Sequence, residues 1–294
     1  MTDRAFAVVR AGALTTVQDL GRPGHAHLGV PHSGALDPYA SGLVNRLVGN
    51  PADAAVLETT VDGCAVRPRC AVTVAVGGAP CPVTVDGRPA GWGTAVRVPA
   101  GAVLEVGTAV RGLRCYVAFA GGVAPDPVLG SRSTDLLSGL GPAPLRDGAV
   151  LPLGPAPSSA PGAPPAPAPG VVPWPGPPRE LVLGVRLGPR DDWFTRRALS
   201  TFATHAYRVS PASNRIGLRT EGPPLERAVA GELPSEGMVL GAVQVPPDGR
   251  PVVFLADHPT TGGYPVVAVV RERDLAAAAQ AVPGTPVRFV PTGP

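Results

Sequence analysis

Polar side chains that can bind anions or transfer protons concentrate in four glycine-rich segments of the sequence, at 15–37, 120–135, 209–217 and 244–265. Glycine lets backbone amides approach a ligand closely, while Arg, Ser, Thr and Asp supply anion contacts and proton transfer. The same residue types are also common in tight turns, where Asp and Thr accept hydrogen bonds from turn amides. Each segment taken alone is therefore compatible with a binding site and with a purely structural turn.

Several signatures of cofactor and metal chemistry are missing from the sequence. The chain has no lysine, which excludes a Walker A phosphate loop, a Schiff-base catalyst and a covalently attached biotin. Residues 31–35 resemble a G-x-S-x-G nucleophile elbow only in part, and no G-x-G-x-x-G joins a strand to a helix. His25, His27 and His32 have no acidic or cysteine partner at ligand spacing, so we expect no metal site.

Charge and hydropathy exclude two further classes of partner. The net charge is only +3 without an arginine-rich run, and aromatic residues are 4% of the chain, so we expect no nucleic-acid binding. The N-terminus lacks the apolar segment of a signal peptide. The longest uncharged stretch, 148–178, is interrupted by prolines and cannot form a membrane helix. These features predict a soluble, cytoplasmic protein with no membrane contact.

Short valine-rich or alternating runs, separated by Gly and Pro turns, predict a mainly β protein built as a sandwich or barrel. Three short helices are predicted, opening at Asp37, at Asp191 or Asp192, and at Asp274. Between residues 155 and 178, 11 of 24 residues are proline, which is typical of an exposed linker that buries little surface. The predicted organisation is an N-terminal β subdomain at 1–154, a Pro/Ala-rich linker at 155–178 and a C-terminal β subdomain at 179–294.

Five strings within these segments resemble the biotin-dependent carboxyltransferase family, also called the allophanate hydrolase subunit 2 family. That family includes the C subunit of the bacterial 5-oxoprolinase and the KipA-like proteins. The resemblance implies a cyclophilin-like β-barrel architecture with a few short helices. The strings are T-T-V-Q-D-L-G-R-P-G at 15–24, G-V-P-x-S-G-A-x-D at 29–37, N-x-L-V-G-N at 45–50, G-S-R-S-T at 130–134 and T-T-G-G-Y-P at 260–265.

The resemblance implies one component of a multi-chain enzyme, and the first interpretation is an ATP-dependent 5-oxoprolinase that hydrolyses 5-oxo-L-proline to L-glutamate. The expected partners are the KipI-like (B) and LamB/YcsF-type (A) subunits, with ATP used through the complex. One alternative is a carboxyltransferase subunit that acts on urea or a related amide, with biotin carried by a partner. A second alternative is a KipA-like regulator without catalysis, which binds a KipI-like kinase inhibitor.

The candidate site residues follow from this resemblance. The predicted catalytic residues are Asp37, Asp257 and Ser33, and the predicted substrate-binding residues are Arg22, Arg215, Gln244, Thr260, Thr261 and Tyr264. We expect Arg215 and Asp257 to face one polar cleft that binds an anionic substrate. Arg215→Ala should then weaken activity, and the fold should survive because surface substitutions cost little stability. Two positions depart from the family pattern: Asn214 replaces a carboxylate, and His258-Pro259 replaces an Arg-Gln pair before the T-T-G-G-Y string.

Overall fold

The computed structural model describes residues 4–156, 174 and 176–293. Their contacts divide the chain into two units. Unit 1 consists of Met1–Arg22, Asp37–Thr134 and Gly139–Pro177, and unit 2 consists of Pro23–Leu36, Asp135–Ser138 and Pro178–Pro294. The subdomain boundaries at residues 154 and 179 stay a prediction, since two short segments that precede residue 154 belong to unit 2.

Unit 1 contains two antiparallel sheets. The six-stranded sheet has the order β11-β1-β4-β9-β6-β7, formed by β1 (Ala5–Arg10), β4 (Cys64–Pro68), β6 (Val83–Val85), β7 (Arg88–Pro89), β9 (Leu104–Val106) and β11 (Val150–Pro152). The five-stranded sheet has the order β2-β3-β10-β5-β8, formed by β2 (Leu14–Gln18), β3 (Val56–Thr60), β5 (Val72–Gly78), β8 (Ala95–Val98) and β10 (Arg114–Phe119).

One apolar core joins the two sheets of unit 1. Phe6 from β1 stacks on Phe119 from β10 with ring centroids 4.8 Å apart, and valines and leucines of both sheets surround them. A helix, α1 (Pro38–Leu47), packs against β5 and β10 through Leu43 and Val44. Asp37 and Pro38 begin this helix as the sequence predicts, because Pro fixes the first helical φ and the Asp37 carboxylate accepts from the Ala40 amide at 2.9 Å.

Unit 2 contains a closed barrel, so the predicted fold class, mainly β with a barrel and a few short helices, is confirmed. Phe202 and Phe289 stack at 4.5 Å within its core. The strand order around the barrel is β12-β19-β16-β17-β14-β13-β20, formed by β12 (Leu181–Leu187), β13 (Tyr207–Val209), β14 (Gly217–Glu221), β16 (Ala242–Gln244), β17 (Val252–Phe254), β19 (Val266–Val270) and β20 (Pro286–Pro291). A two-stranded ribbon of β15 (Glu236–Gly237) and β18 (Thr261–Gly262) completes the unit.

The two helices of unit 2 begin at other residues than the sequence suggests. Helix α2 (Arg196–Thr204) is capped by Thr195, whose hydroxyl accepts from the Ala198 amide at 3.1 Å, because Asp191–Trp193 form a separate 3-10 turn. Helix α3 (Glu272–Ala278) starts after Arg271, which places Asp274 in its first turn. None of the helices in the described part of the chain is long and apolar enough to cross a membrane.

Most of the predicted linker, namely 157–173 and residue 175, lies outside the described residues. Trp174 is described and packs in unit 1, with its ring 5.2 Å from that of Trp92. A Cβ at position 77 would lie 2.0 Å from the Trp174 ring, so this packing requires Gly77. The expectation that all of 155–178 buries little surface is therefore wrong at Trp174, where an aromatic ring finds a fitted partner.

We expect Trp174→Ala to lower the free energy of unfolding by about 1–2 kcal/mol, since a half-buried aromatic ring loses its contacts. Replacing residues 157–173 by a Gly/Ser sequence of equal length, with Trp174 kept, should change it by less than about 0.5 kcal/mol. Urea unfolding of both variants checks this pair of expectations. Equal losses in the free energy of unfolding of the two variants would show that the Trp174 ring contributes no more to stability than residues 157–173 do.

Candidate functional site

A buried charged network in unit 2 joins three of the predicted site residues. Arg215 lies between β13 and β14, Asp257 follows β17, and Ser33 lies in the segment Pro23–Leu36. The Asp257 carboxylate accepts from Arg215 Nε and Nη2, both at 2.9 Å, and from the Ser33 hydroxyl at 2.7 Å. The Leu136 amide donates to the same carboxylate at 3.1 Å. Both Asp257 oxygens are thus bound by groups of unit 2.

The network is closed off from solvent. Arg215 is 1% exposed and Asp257 is 0% exposed, and Arg215 Nη2 also donates to the Gly34 carbonyl at 2.6 Å. A bidentate arginine–carboxylate pair is stable in the interior only when its hydrogen bonds are also satisfied, and these contacts supply them. Arg215 and Asp257 are therefore together as predicted, but as a buried pair and not as the walls of an open polar cleft.

Ser33 is held in an uncommon backbone conformation by this network. Its φ is +54°, a left-handed value that costs a non-glycine residue free energy and persists only where the surroundings fix it. Its amide donates to the Ala256 carbonyl at 3.0 Å while its hydroxyl donates to Asp257. The chain around Ser33 is thereby tied to the residues that follow β17, and this fixes the position of Ser33 within unit 2.

The other predicted residues of unit 2 lie on the outer face of the barrel. Ala242, Val252, Phe254 and Val266 form a small apolar cluster there, against which Met238 packs. Gln244 is 7% exposed, and its Nε2 donates to the Tyr264 carbonyl at 3.2 Å. Thr260, Thr261 and Tyr264 belong to the T-T-G-G-Y turn, whose Gly262 lies against Gln244 and Met238. Gln244, Thr260, Thr261 and Tyr264 define this outer-face site, in which Thr261 and Tyr264 are exposed, Thr260 is half-buried and Gln244 is buried.

Gly262 in the T-T-G-G-Y turn lies directly on the Gln244 side chain, which would have to move to admit a side chain at this position. A Cβ at position 262 would lie 2.6 Å from Gln244 Nε2, which is closer than such atoms approach in proteins. Gly262 pairs with Glu236 in the ribbon, and Glu236 forms an ion pair with Arg190. The T-T-G-G-Y string, one of the five that resemble the family, thus packs its glycine backbone against the Gln244 side chain.

His258 joins the two parts of the site in unit 2. It is 7% exposed, stacks on Phe254 with ring centroids 5.9 Å apart, and places Nδ1 2.8 Å from the Pro259 carbonyl. Burial lowers the pKa of His258 below its ordinary value of 6.5, while Asp257 and Asp135 act in the opposite direction. The imidazole is therefore neutral at neutral pH.

Two predicted residues, Asp37 and Arg22, lie in unit 1, and neighbouring groups bind both of them. Asp37 is 7% exposed and caps α1, and its amide donates to the Tyr116 hydroxyl at 2.8 Å. Tyr116 in turn donates to Glu58 at 3.0 Å. Burial, together with the Glu58 and Asp37 charges, raises the pKa of Tyr116 well above its usual range, so the hydroxyl keeps its proton. Arg22 is 1% exposed and donates to the Ser133 carbonyl.

The first and fourth strings of the resemblance are joined through Asp19, which was not among the predicted site residues. Its carboxylate accepts from the Ser131 and Ser133 hydroxyls, both at 2.6 Å, from the Arg132 amide at 2.6 Å and from the Gly21 amide at 2.8 Å. The signal was present in the sequence, since the first string carries an acid and the fourth carries small hydroxyl residues. Their task in unit 1 is structural.

Glu58 and Tyr116 were also missed by sequence reasoning. Both lie inside strands of unit 1, on β3 and β10, and are 2% and 0% exposed. An acidic residue within an otherwise apolar strand is the one signal that could have pointed to them. Among the described residues, no group of three or more His, Cys, Asp or Glu side chains is arranged to hold a metal ion.

Comparison with known proteins establishes the family. The profile of the family described as "Carboxyltransferase domain, subdomain A and B" matches residues 28–291, so the chain belongs to this family. The chain is 38% identical over 290 residues to the C subunit of 5-oxoprolinase from Escherichia coli (strain K12), covering 96% of this chain and 90% of that protein. It is 34% identical over 311 residues to the urea amidolyase of Lachancea kluyveri, covering 98% of this chain but 17% of that protein.

Solved structures agree with this membership. The crystal structure of TTHA0988 superposes with a TM-score of 0.86 at 34% identity, and the chain covers 56% of that protein's length. The crystal structure of the K. lactis urea amidolyase superposes with a TM-score of 0.88 at 31% identity, and the chain covers 19% of it. The chain therefore spans about half of one structural relative and a fifth of the other.

Proposed function

We propose that this chain is the C subunit of an ATP-dependent 5-oxoprolinase, acting with the KipI-like (B) and LamB/YcsF-type (A) subunits. The observation that carries the proposal is the match in length: the chain covers 90% of the C subunit of E. coli 5-oxoprolinase and 87% of that of Haemophilus influenzae. A chain that matches most of the length of a separate subunit is expected to act as that subunit does, in a complex.

The proposed roles of the site residues follow from their exposure. Thr260, Thr261 and Tyr264, with the buried Gln244 next to them, contact the substrate, because hydroxyl and amide groups can hydrogen-bond to the amide of the lactam ring. Arg215, Asp257 and Ser33 are positioning residues, since their charges and hydrogen bonds are satisfied inside unit 2. Arg22 and Asp37 stabilise unit 1 in the same manner.

ATP and biotin are assigned to partner subunits. The chain has no lysine, and Arg22 and Arg215 are both 1% exposed and hydrogen bonded internally. A triphosphate needs cationic groups that face solvent, so these arginines do not fit it. A covalently attached biotin needs a lysine, so biotin, where used, is carried by another chain. We therefore derive no step through either group in this chain.

A second candidate is the transfer of a carboxyl group to urea or a related amide. It is favoured by the superposition on the K. lactis urea amidolyase over 98% of this chain. Both candidates act on an amide group, since 5-oxo-L-proline has a ring amide beside its carboxylate and urea is a neutral diamide, and the hydroxyl and amide groups of the outer-face site can bind such a group.

The purified chain alone is expected to show no ATP hydrolysis and no conversion of 5-oxo-L-proline. The chain mixed with a KipI-like and a LamB/YcsF-type protein should form glutamate, measured by chromatography. Gln244→Ala should lower kcat/KM of the mixture about tenfold, as for one lost hydrogen bond of about 1.4 kcal/mol. Gln280→Ala, at a similarly buried glutamine beyond α3, is the matched control. Urea-dependent turnover without lactam opening would favour the second candidate.

A further inference from the structure

One imidazole nitrogen of His258 is left available by the fold. The Pro259 carbonyl can only accept, so Nδ1, 2.8 Å away, carries the proton and donates it. In the neutral ring the lone pair is then on Nε2. Among the hydrogen bonds of the described residues, none reaches Nε2. More than nine-tenths of His258 is buried, so its unused acceptor is a fixed and oriented group.

Neighbouring groups keep this acceptor neutral and in place. The ring stacks on Phe254 with an interplanar angle of 13°, which fixes its plane. The titratable groups that face it are His32, Asp257 and Asp135. Asp257 is already paired with Arg215, and His32 places Nδ1 3.0 Å from the Ser33 carbonyl. The burial that lowers the pKa of His258 outweighs the two carboxylates.

The acceptor is connected to the outer-face site by packing. Phe254, on which His258 stacks, belongs to the apolar cluster beneath that site. Met238 packs on the same cluster and places its sulfur 3.9 Å from Gln244 Nε2. Along the chain, His258 is followed by Thr260 and Thr261. His258 and the outer-face site are thus joined by Phe254 and by the chain from residue 258 to residue 261.

We propose that His258 Nε2 accepts a hydrogen bond from the N–H group of the bound substrate, and so selects unsubstituted lactams and ureas over their N-alkylated forms. This inference rests on the proposed function, because it takes the amide group of a lactam or urea as the ligand of the outer-face site. His258 is a binding residue in this role, and no proton is transferred. N-alkylation removes the donor for this acceptor, which gives the N–H contact its selectivity.

The test compares dissociation constants, by titration calorimetry, for the chain assembled with its partner subunits. The probes are 5-oxo-L-proline and its N-methyl derivative, and urea and tetramethylurea. Wild type should prefer the N–H form about tenfold, as for one hydrogen bond. His258→Phe should lose this preference, and His258→Gln should keep it, since its amide oxygen also accepts. An unchanged preference in His258→Phe overturns the inference, as does the absence of binding by all four probes.

The pH dependence of this preference is a second test, because a purely structural role of His258 would not make the preference change with pH. Protonation turns Nε2 into a donor, so the wild-type preference should fade as the pH falls below 6.5 through the lowered pKa of His258. His258→Gln should show the same preference between pH 5 and pH 8. A wild-type preference that persists at a pH where NMR shows the His258 ring to be protonated contradicts the proposal.

Failure of the proposed function is distinguishable from failure of this inference. If urea shows the N–H preference and 5-oxo-L-proline does not bind, the oxoprolinase assignment fails and the role of His258 stands. Nitrogen-15 NMR of the imidazoles in the full chain tests the tautomer without any substrate. A proton on Nε2 in the neutral ring of His258 overturns the inference whichever amide binds.

Discussion

Replacing Arg215 with alanine is expected to lower the free energy of unfolding by about 3–5 kcal/mol, because it leaves a buried carboxylate without its counterion. Asp257 is 0% exposed and receives both Arg215 hydrogen bonds at 2.9 Å. The premise that Arg215 is a surface residue, from which the fold was expected to survive this substitution, is wrong, because Arg215 is 1% exposed. Chemical denaturation of the purified chain measures the loss.

Two further variants isolate the cause. Arg219→Ala, at an exposed arginine on β14, should change the free energy of unfolding by less than about 0.5 kcal/mol. The double replacement Arg215→Met with Asp257→Leu should cost less than the sum of the single replacements, because no lone charge remains buried. A loss at Arg215→Ala no larger than at Arg219→Ala would mean that the pair does not stabilise unit 2.

Asp19→Ala is expected to lower the free energy of unfolding by about 2–4 kcal/mol, since buried donors lose their acceptor. The four groups affected are the Ser131 and Ser133 hydroxyls and the Gly21 and Arg132 amides. Thermal or urea unfolding of the full chain measures the change. Asp19→Asn should be intermediate, because one oxygen still accepts.

Asp53→Ala is the matched control for Asp19, since Asp53 is an exposed acid that precedes β3. Its stability should remain within about 0.5 kcal/mol of wild type. If Asp19→Ala behaves like this control, the contacts between the first and fourth strings contribute little, and their shared residues require another explanation.

Features that depend on neighbouring residues could be predicted from the sequence, and features that depend on distant ones could not. Helix α1 follows from Asp37-Pro38, a cap and a fixed φ at adjacent positions. The start of α2 was misplaced by a few residues because Asp191 and Asp192 also cap well, and only the 3-10 turn they form leaves Thr195 as the cap.

The candidate site shows the same limit. Arg215, Asp257 and Ser33 were all selected from the sequence, but their mutual contact spans 42 and 224 residues of chain, so its burial could not be predicted. The capping role of Asp37 was predictable from Pro38, and that structural role accounts for its burial. The available acceptor on His258 depends on which ring nitrogen faces the Pro259 carbonyl, and no sequence pattern specifies this.

The outer-face site shares its strands with the barrel core, and this restricts how the site can change. Val243 and Val253 point into the core, while their neighbours Gln244 and Phe254 lie on the opposite face. A deletion of one residue within β16 or β17 would exchange the two faces, and so place valines at the surface and the glutamine in the core. The side chains of the outer-face site can therefore change through substitutions on these strands and through the length of the turns between them, but not through the length of the strands themselves.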